Sequence, residues 1–214
     1  MTAKIKLNHS GGNGVSLNAP ANNPSISDVA FMLPNEDGSA NQLLKTDGSG
    51  NLGWATDQGG KILQVVAANK TDTFSATASD GTYHDITGLS VSITITGTND
   101  VLIFFQSSYS TSSDLGQRGS FRLVRGSTAI NIGDAAGSRT RGIFPSMEVR
   151  QTQMSTPVAG CFLDENPGAG TYTYKLQVSA EAGAGNVVVN STTGADSATH
   201  YRGASNLIVM EVDS

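Results

Sequence analysis

The chain has 214 residues and a mass of 22.1 kDa, enough for one large β domain or one domain with an appendage. Only 14% of its residues are charged, and the Glu-, Lys-, Leu- and Ala-rich blocks of long helices are absent, which excludes a helical bundle and biases the fold to all-β. A net charge of −5 and a pI near 5.0 disfavour nucleic acid, which calls for broad basic surfaces.

Cys161 is the single cysteine, so no intrachain disulfide can form. Its setting, Val158-Ala159-Gly160-Cys161-Phe162, predicts an inert thiol buried in a strand. No run of about 20 apolar residues signals a membrane span, and no signal-peptide pattern follows Met1, so the expectation is a soluble chain outside the usual secretory route.

Residues 1–59 divide into short pieces. Lys4-Ile5-Lys6-Leu7 alternates as an exposed strand does, residues 9–14 form a glycine-rich turn, and Val15-Ser16-Leu17 alternates again. Ala19-Pro20 and Asn23-Pro24 impose extended or turn geometry, and residues 28–34 make a further short strand ended by Pro34. Gln42-Leu43-Leu44-Lys45 and Asn51-Leu52-Gly53-Trp54 predict a hairpin reversed at Asp47-Gly48-Ser49-Gly50, because glycine takes positive φ freely. Each piece carries too few apolar side chains to bury them alone. Phe31, Leu33, Leu43, Leu44, Leu52 and Trp54 nonetheless exceed what a solvated linker needs, which predicts an extended β stalk ordered by association of parallel copies.

A hinge is expected at 57–60, followed by a second domain over 60–214 with strand signals about every ten residues. Leu89-Ser90-Val91-Ser92-Ile93-Thr94-Ile95-Thr96 places aliphatics on one face and hydroxyls on the other. Residues 172–178 alternate likewise. Further strands are predicted at 62–67, 82–86, 101–109, 120–125, 128–132, 147–154, 159–163, 186–190 and 207–212. Such a series makes a jelly-roll-like β-sandwich knob.

Val101-Leu102-Ile103-Phe104-Phe105 and Leu207-Ile208-Val209-Met210 are apolar on both faces. One face of a sandwich strand should meet water, so either a loop or another subunit covers them. A homotrimeric assembly satisfies both these strands and the stalk.

The arginines are clustered. Arg118, Arg122, Arg125, Arg139, Arg141 and Arg150 lie in a stretch whose acids are Asp134 and Glu148. This is either a grip on an anionic bacterial surface glycan or a set of intersubunit salt bridges. Tyr109, among Ser107, Ser108, Ser110 and Thr111, is a candidate sugar contact.

No catalytic or metal site is expected, and no cofactor. His9, His84 and His200 lack metal-ligand spacing, and neither a nucleophile elbow nor a P-loop occurs. Asp47, Ser49 and Asn51 begin like a calcium loop, but Leu52 and Gln58 stand where that loop needs Gly and Glu. Catalysis is therefore not predicted.

Taken together, Leu17-Asn18-Ala19-Pro20, Phe31-Met32-Leu33-Pro34, the run from Gln42 to Trp54, and the later Phe162-Leu163-Asp164-Glu165, Gly170-Thr171-Tyr172-Thr173-Tyr174-Lys175-Leu176-Gln177-Val178 and Ile208-Val209-Met210-Glu211-Val212 resemble tailed-bacteriophage fibre proteins of marine-phage and cyanophage type. The second domain is also similar to trimeric jelly rolls of the tumour-necrosis-factor and complement C1q type. The resemblance implies a virion protein on a tail or capsid surface, whose residues 1–59 attach to other virion proteins. It further implies a tail fibre contributing to host-cell recognition, or alternatively a capsid or tail decoration protein without a receptor role. Neither nucleic-acid binding nor membrane insertion is implied.

Overall fold

The computed structural model describes residues 4–8, 10–12, 14–18, 31–57, 61–113, 117–193, 198 and 200–213. The expected hinge residues 58–60, the Pro20 and Pro24 stretch and the start of the strand expected at 28–34 lie outside them. The chain divides into two compact units, Met1–Gln58 and Gly59–Ser214.

The first unit holds two hairpins. Strands β1 (Lys4–Asn8) and β2 (Gly14–Asn18) pair antiparallel. Strands β3 (Gln42–Thr46) and β4 (Leu52–Thr56) pair with Leu44 opposite Trp54 and Thr46 opposite Leu52. Their turn closes as the sequence predicts. The Asp47 carboxylate accepts the backbone N–H groups of Ser49 (2.7 Å) and Asn51 (3.2 Å) and the Asn51 side-chain amide (2.6 Å). Gly48 and Gly50 supply φ of 84° and 93°. The turn thus meets the carboxylate with three donors of its own. Met32 joins β4 through a parallel bridge to Asn51, and the Trp54 indole N–H donates to the Glu36 carbonyl at 2.8 Å.

The second unit contains β5 (Ile62–Lys70), β6 (Phe74–Thr77), β7 (His84–Ile95), β8 (Asp100–Thr111), β9 (Gln117–Arg125), β10 (Thr128–Ile130), β11 (Met147–Val149), β12 (Thr156–Asp164), β13 (Gly170–Ala180), β14 (Asn186–Val189) and β15 (Ser205–Val212). One sheet runs β10-β9-β13-β7, with β11 also on β9. The other runs β5-β15-β8-β14-β6, with β12 along the free side of β8. Early strands pair with late ones: β5 with β15, β7 with β13, β8 with β12, and β9 with β10 and β11. That nesting is the rolled-up hairpin of a jelly roll. No helix occurs among the described residues.

Strand alternation builds the core between the two sheets. Ile86, Leu89, Ile93 and Ile95 of β7, Val101, Ile103 and Phe105 of β8, Phe121 and Leu123 of β9, Leu176 and Val178 of β13, and Leu207 and Val209 of β15 are all buried. Each such side chain contributes about 1.5–3 kcal/mol by leaving water. The two strands expected at 82–86 and 89–96 are one, because β7 continues through a bulge where its pairing shifts opposite Lys175 to Gln177. Gly88, at φ 91°, makes that turn of the backbone possible. Only Met147–Val149 of the strand expected at 147–154 forms, since the Met154 N–H turns back to the Gln151 carbonyl at 3.0 Å.

Candidate functional site

The two sheets present unlike outer faces. On the β10-β9-β13-β7 sheet most outward residues are polar and several bond to each other, with Val124 and Ala129 the apolar pair among them. Ser92 meets Thr173 and Thr94 meets Thr171, each at 2.9 Å. Lys175 pairs with Asp85 at 2.8 Å, while Gln177 bridges Asp85 and Arg122. This face resembles an ordinary solvated sheet.

The outward face of the other sheet is different. Pairing aligns Leu163, Leu102, Met210 and Val65 in one rung across β12, β8, β15 and β5, and Cys161, Phe104, Ile208 and Ala67 in the next. A third rung holds Ala159, Gln106, Asn206 and Asn69. None of the twelve is charged. With strands about 4.8 Å apart, the apolar rungs are about 15 Å wide. Phe104 is 39%, Leu163 41% and Val65 55% exposed, so no loop among the described residues seals them. Cys161 is therefore exposed, not buried as expected. Strand parity turns it outward beside Phe104, and a strand apolar on both sides does not announce which side is inside.

The arginines disperse. Arg125 donates to both Asp164 oxygens at 2.8 Å, and the Tyr174 hydroxyl donates to the same carboxylate at 2.7 Å. This group ties β9 and β13 of one sheet to β12 of the other. Burial, with the Asp164 charge beside it, pushes the Tyr174 phenol far up from its usual value. Arg122 lies 4.2 Å over the Tyr83 ring and donates to Gln177. Arg141 donates to the Gly133 carbonyl, and Arg150 to Glu148 at 2.9 Å. Four of the six thus have partners within the chain.

The remaining two, Arg118 and Arg139, line one cleft of about 860 Å³ and form no ion pair among the described residues. Its floor is Arg118–Ser120 and Ser179–Glu181, and its walls are the segments around Asp80–Tyr83 and 138–146. The second wall is the long loop by which the chain leaves the β9 edge after β10 and rejoins it as β11. Asp80, Tyr83 and Glu181 gave no sequence signal as site residues, because Glu181 lies far along the chain from the other two and meets them only in the folded sandwich.

Tyr109 does not face an open surface. It is fully buried, its ring packed on Gly119, where any Cβ would strike it, and its hydroxyl 3.5 Å from the Gln117 carbonyl. Tyr109 shares strand parity with Val101, Ile103 and Phe105, and that parity outweighs its hydroxyl-rich neighbours. In the first unit Phe31, Leu33, Leu43, Leu44 and Trp54 are exposed, while Leu52 is half-buried.

The architecture is that of an all-β protein with a jelly-roll-ordered sandwich. No family model and no curated protein matches the chain. Among solved structures it is similar to chains of infectious bursal disease virus. One, from the T13 viral particle, is 13% identical at a TM-score of 0.40, covering 75% of this chain and 38% of the viral one. Another, from the Gt strain, is 13% identical at 0.36, covering 95% and 48%. A mutant VP2 protein in T=1 particles is 12% identical at 0.37, covering 94% and 46%. The chain spans less than half the length of each, and likenesses this distant assign it no role.

Proposed function

We propose that this chain is a non-enzymatic structural subunit of a virion, a fibre or spike that assembles as a homotrimer. The observation that carries the reading is the contrast between the two outer faces of the sandwich. The charge-free face across β12, β8, β15 and β5 is what one copy presents to another, because an apolar sheet face gains about 25 cal/mol per Å² when it leaves water. The polar face then remains outward, towards a host surface. Residues 1–59 serve as the stalk, its exposed Phe31, Leu33, Leu43, Leu44 and Trp54 shared between copies, and join the fibre to other virion proteins. Three linked sandwiches raise the effective concentration of weak surface contacts.

Light scattering on the full chain tests the assembly. The expected mass is three times 22.1 kDa. Leu163→Lys, at an exposed position of the apolar face, is expected to raise the protein concentration needed for assembly, with an unchanged circular dichroism spectrum. A wild-type monomer, or a Leu163→Lys protein that assembles at the same concentration as wild type, would refute the reading. Competition of the intact protein with virus adsorption to host cells tests the recognition role, and a protein that neither binds cells nor competes removes it.

A further inference from the structure

We infer that the cleft between the Asp80–Tyr83 segment and the 138–146 loop binds a carboxylated saccharide. The inference rests on the reading of the polar sheet as the outward side.

The walls are held in place before any ligand arrives. The Tyr83 hydroxyl donates to the Arg141 carbonyl at 3.0 Å and Ser120 Oγ to the Phe144 carbonyl at 2.8 Å. The Ile143 N–H donates to the Phe121 carbonyl at 2.8 Å. Gly142 lets the loop lie this close, for a Cβ there would strike Ser120 Oγ and the Tyr83 hydroxyl. On the other side Asp80 accepts the Ala182 N–H at 2.7 Å. A cleft so braced loses little entropy on binding.

Its chemistry is that of a sugar acid. Arg118 and Arg139 offer guanidinium groups to a carboxylate. Glu181 and Asp80 each commit one oxygen to a backbone N–H, Arg118 at 2.6 Å and Ala182 at 2.7 Å. Their second oxygens are acceptors for sugar hydroxyls. Ser138, Thr140 and Ser146 add hydroxyls that both donate and accept. Two cations and two anions leave the lining neutral, which disfavours a polyphosphate and suits a ligand with one carboxylate among many hydroxyls. The volume of about 860 Å³ lies within the range of small-molecule sites, about 300–1,000 Å³, and takes a short oligosaccharide.

Titration calorimetry of the full chain with an aldotriouronic acid (one glucuronic acid on a xylose dimer), the neutral xylose trimer and inorganic phosphate tests this. The acidic trimer is expected to bind at least about tenfold tighter than the neutral one. Arg118→Ala and Arg139→Ala are each expected to lose about tenfold, the effect of removing a charge-assisted hydrogen bond. Lys61→Ala, which removes a cation paired with Asp213 beside the other sheet, is expected to bind as wild type. Equal binding of acidic and neutral trimers, undiminished binding by both arginine variants, full displacement by phosphate, or no binding at millimolar concentration would each overturn it. The mass of the same samples separates the two readings: a trimer that binds no uronate loses the cleft inference alone, and a monomer that binds it loses the assembly alone.

Discussion

Glutamine in place of Glu211 tests how the second unit holds its β7–β8 turn. Glu211 lies on β15 and is 2% exposed. One of its oxygens accepts the Thr96 N–H at 2.7 Å, the Thr96 hydroxyl at 2.8 Å and the Asn99 amide at 2.9 Å. The other accepts the Gln64 amide at 2.9 Å, and Gln64 also donates to the Thr94 carbonyl at 2.6 Å. Four donors, three from the β7–β8 turn and one from β5, therefore converge on one carboxylate.

Burial opposes ionisation of Glu211, but the hydrogen bonds from Asn99, Thr96 and Gln64 outweigh it and hold the carboxyl at about 2, against an ordinary 4.5. Because folding lowers this value, the stabilisation is complete above about pH 5 and is lost as pH falls from there towards 2. The full difference corresponds to about 3 kcal/mol, and solvent screening at the end of the sandwich reduces it to about 2 kcal/mol. Glutamine keeps the shape, removes the charge and turns an NH₂ towards other donors. At pH 7 Glu211→Gln should lower the urea midpoint by about 1 M, for a slope of about 2 kcal/mol per M. Measurements at one protein concentration keep assembly from entering the comparison. The gap between variant and wild type should shrink as pH falls from 5 to 3. An unchanged midpoint at pH 7, or a gap that stays constant down to pH 3, would refute the reasoning.

Asp164→Asn removes the charge that meets Arg125 and Tyr174, and should cost about 1–2 kcal/mol in denaturant unfolding, since it leaves a half-buried cation without its counter-charge. Cys161 should react with a maleimide reagent much faster in the Leu163→Lys protein than in wild type, followed by mass spectrometry; equal rates would show that assembly does not cover that face. Gly142→Ala should lower thermal stability by about 1–3 kcal/mol through overpacking against Ser120, Tyr83 and the Phe121 carbonyl. The same variant should weaken uronate binding, because the loop carrying Ser138 and Arg139 must shift.

Much of the fold was legible from local pattern. The Asp47–Gly50 reversal, the alternation after Leu89 and the doubly apolar runs at Val101 and Leu207 each depend on neighbouring residues only. Strand β6, Phe74–Thr77, was missed although Phe74-Ser75-Ala76-Thr77 alternates; it is too short to stand apart from its loops. Period-two counting along β8 from Val101 would have put Tyr109 inside, yet its serine and threonine neighbours pointed the other way.

The sequence by itself determined where most strands run and that two of them are apolar on both sides, because side-chain alternation is a property of consecutive residues. Only the tertiary structure decided what faces what. Sheet pairing set Cys161 beside Phe104 on the open face. It also gave Arg125 to Asp164 and left Arg118 and Arg139 in a cleft with Asp80 and Glu181. Those meetings join residues far apart in the chain, and the partner of a charge is fixed by pairing order and strand register, which no local stretch of sequence contains.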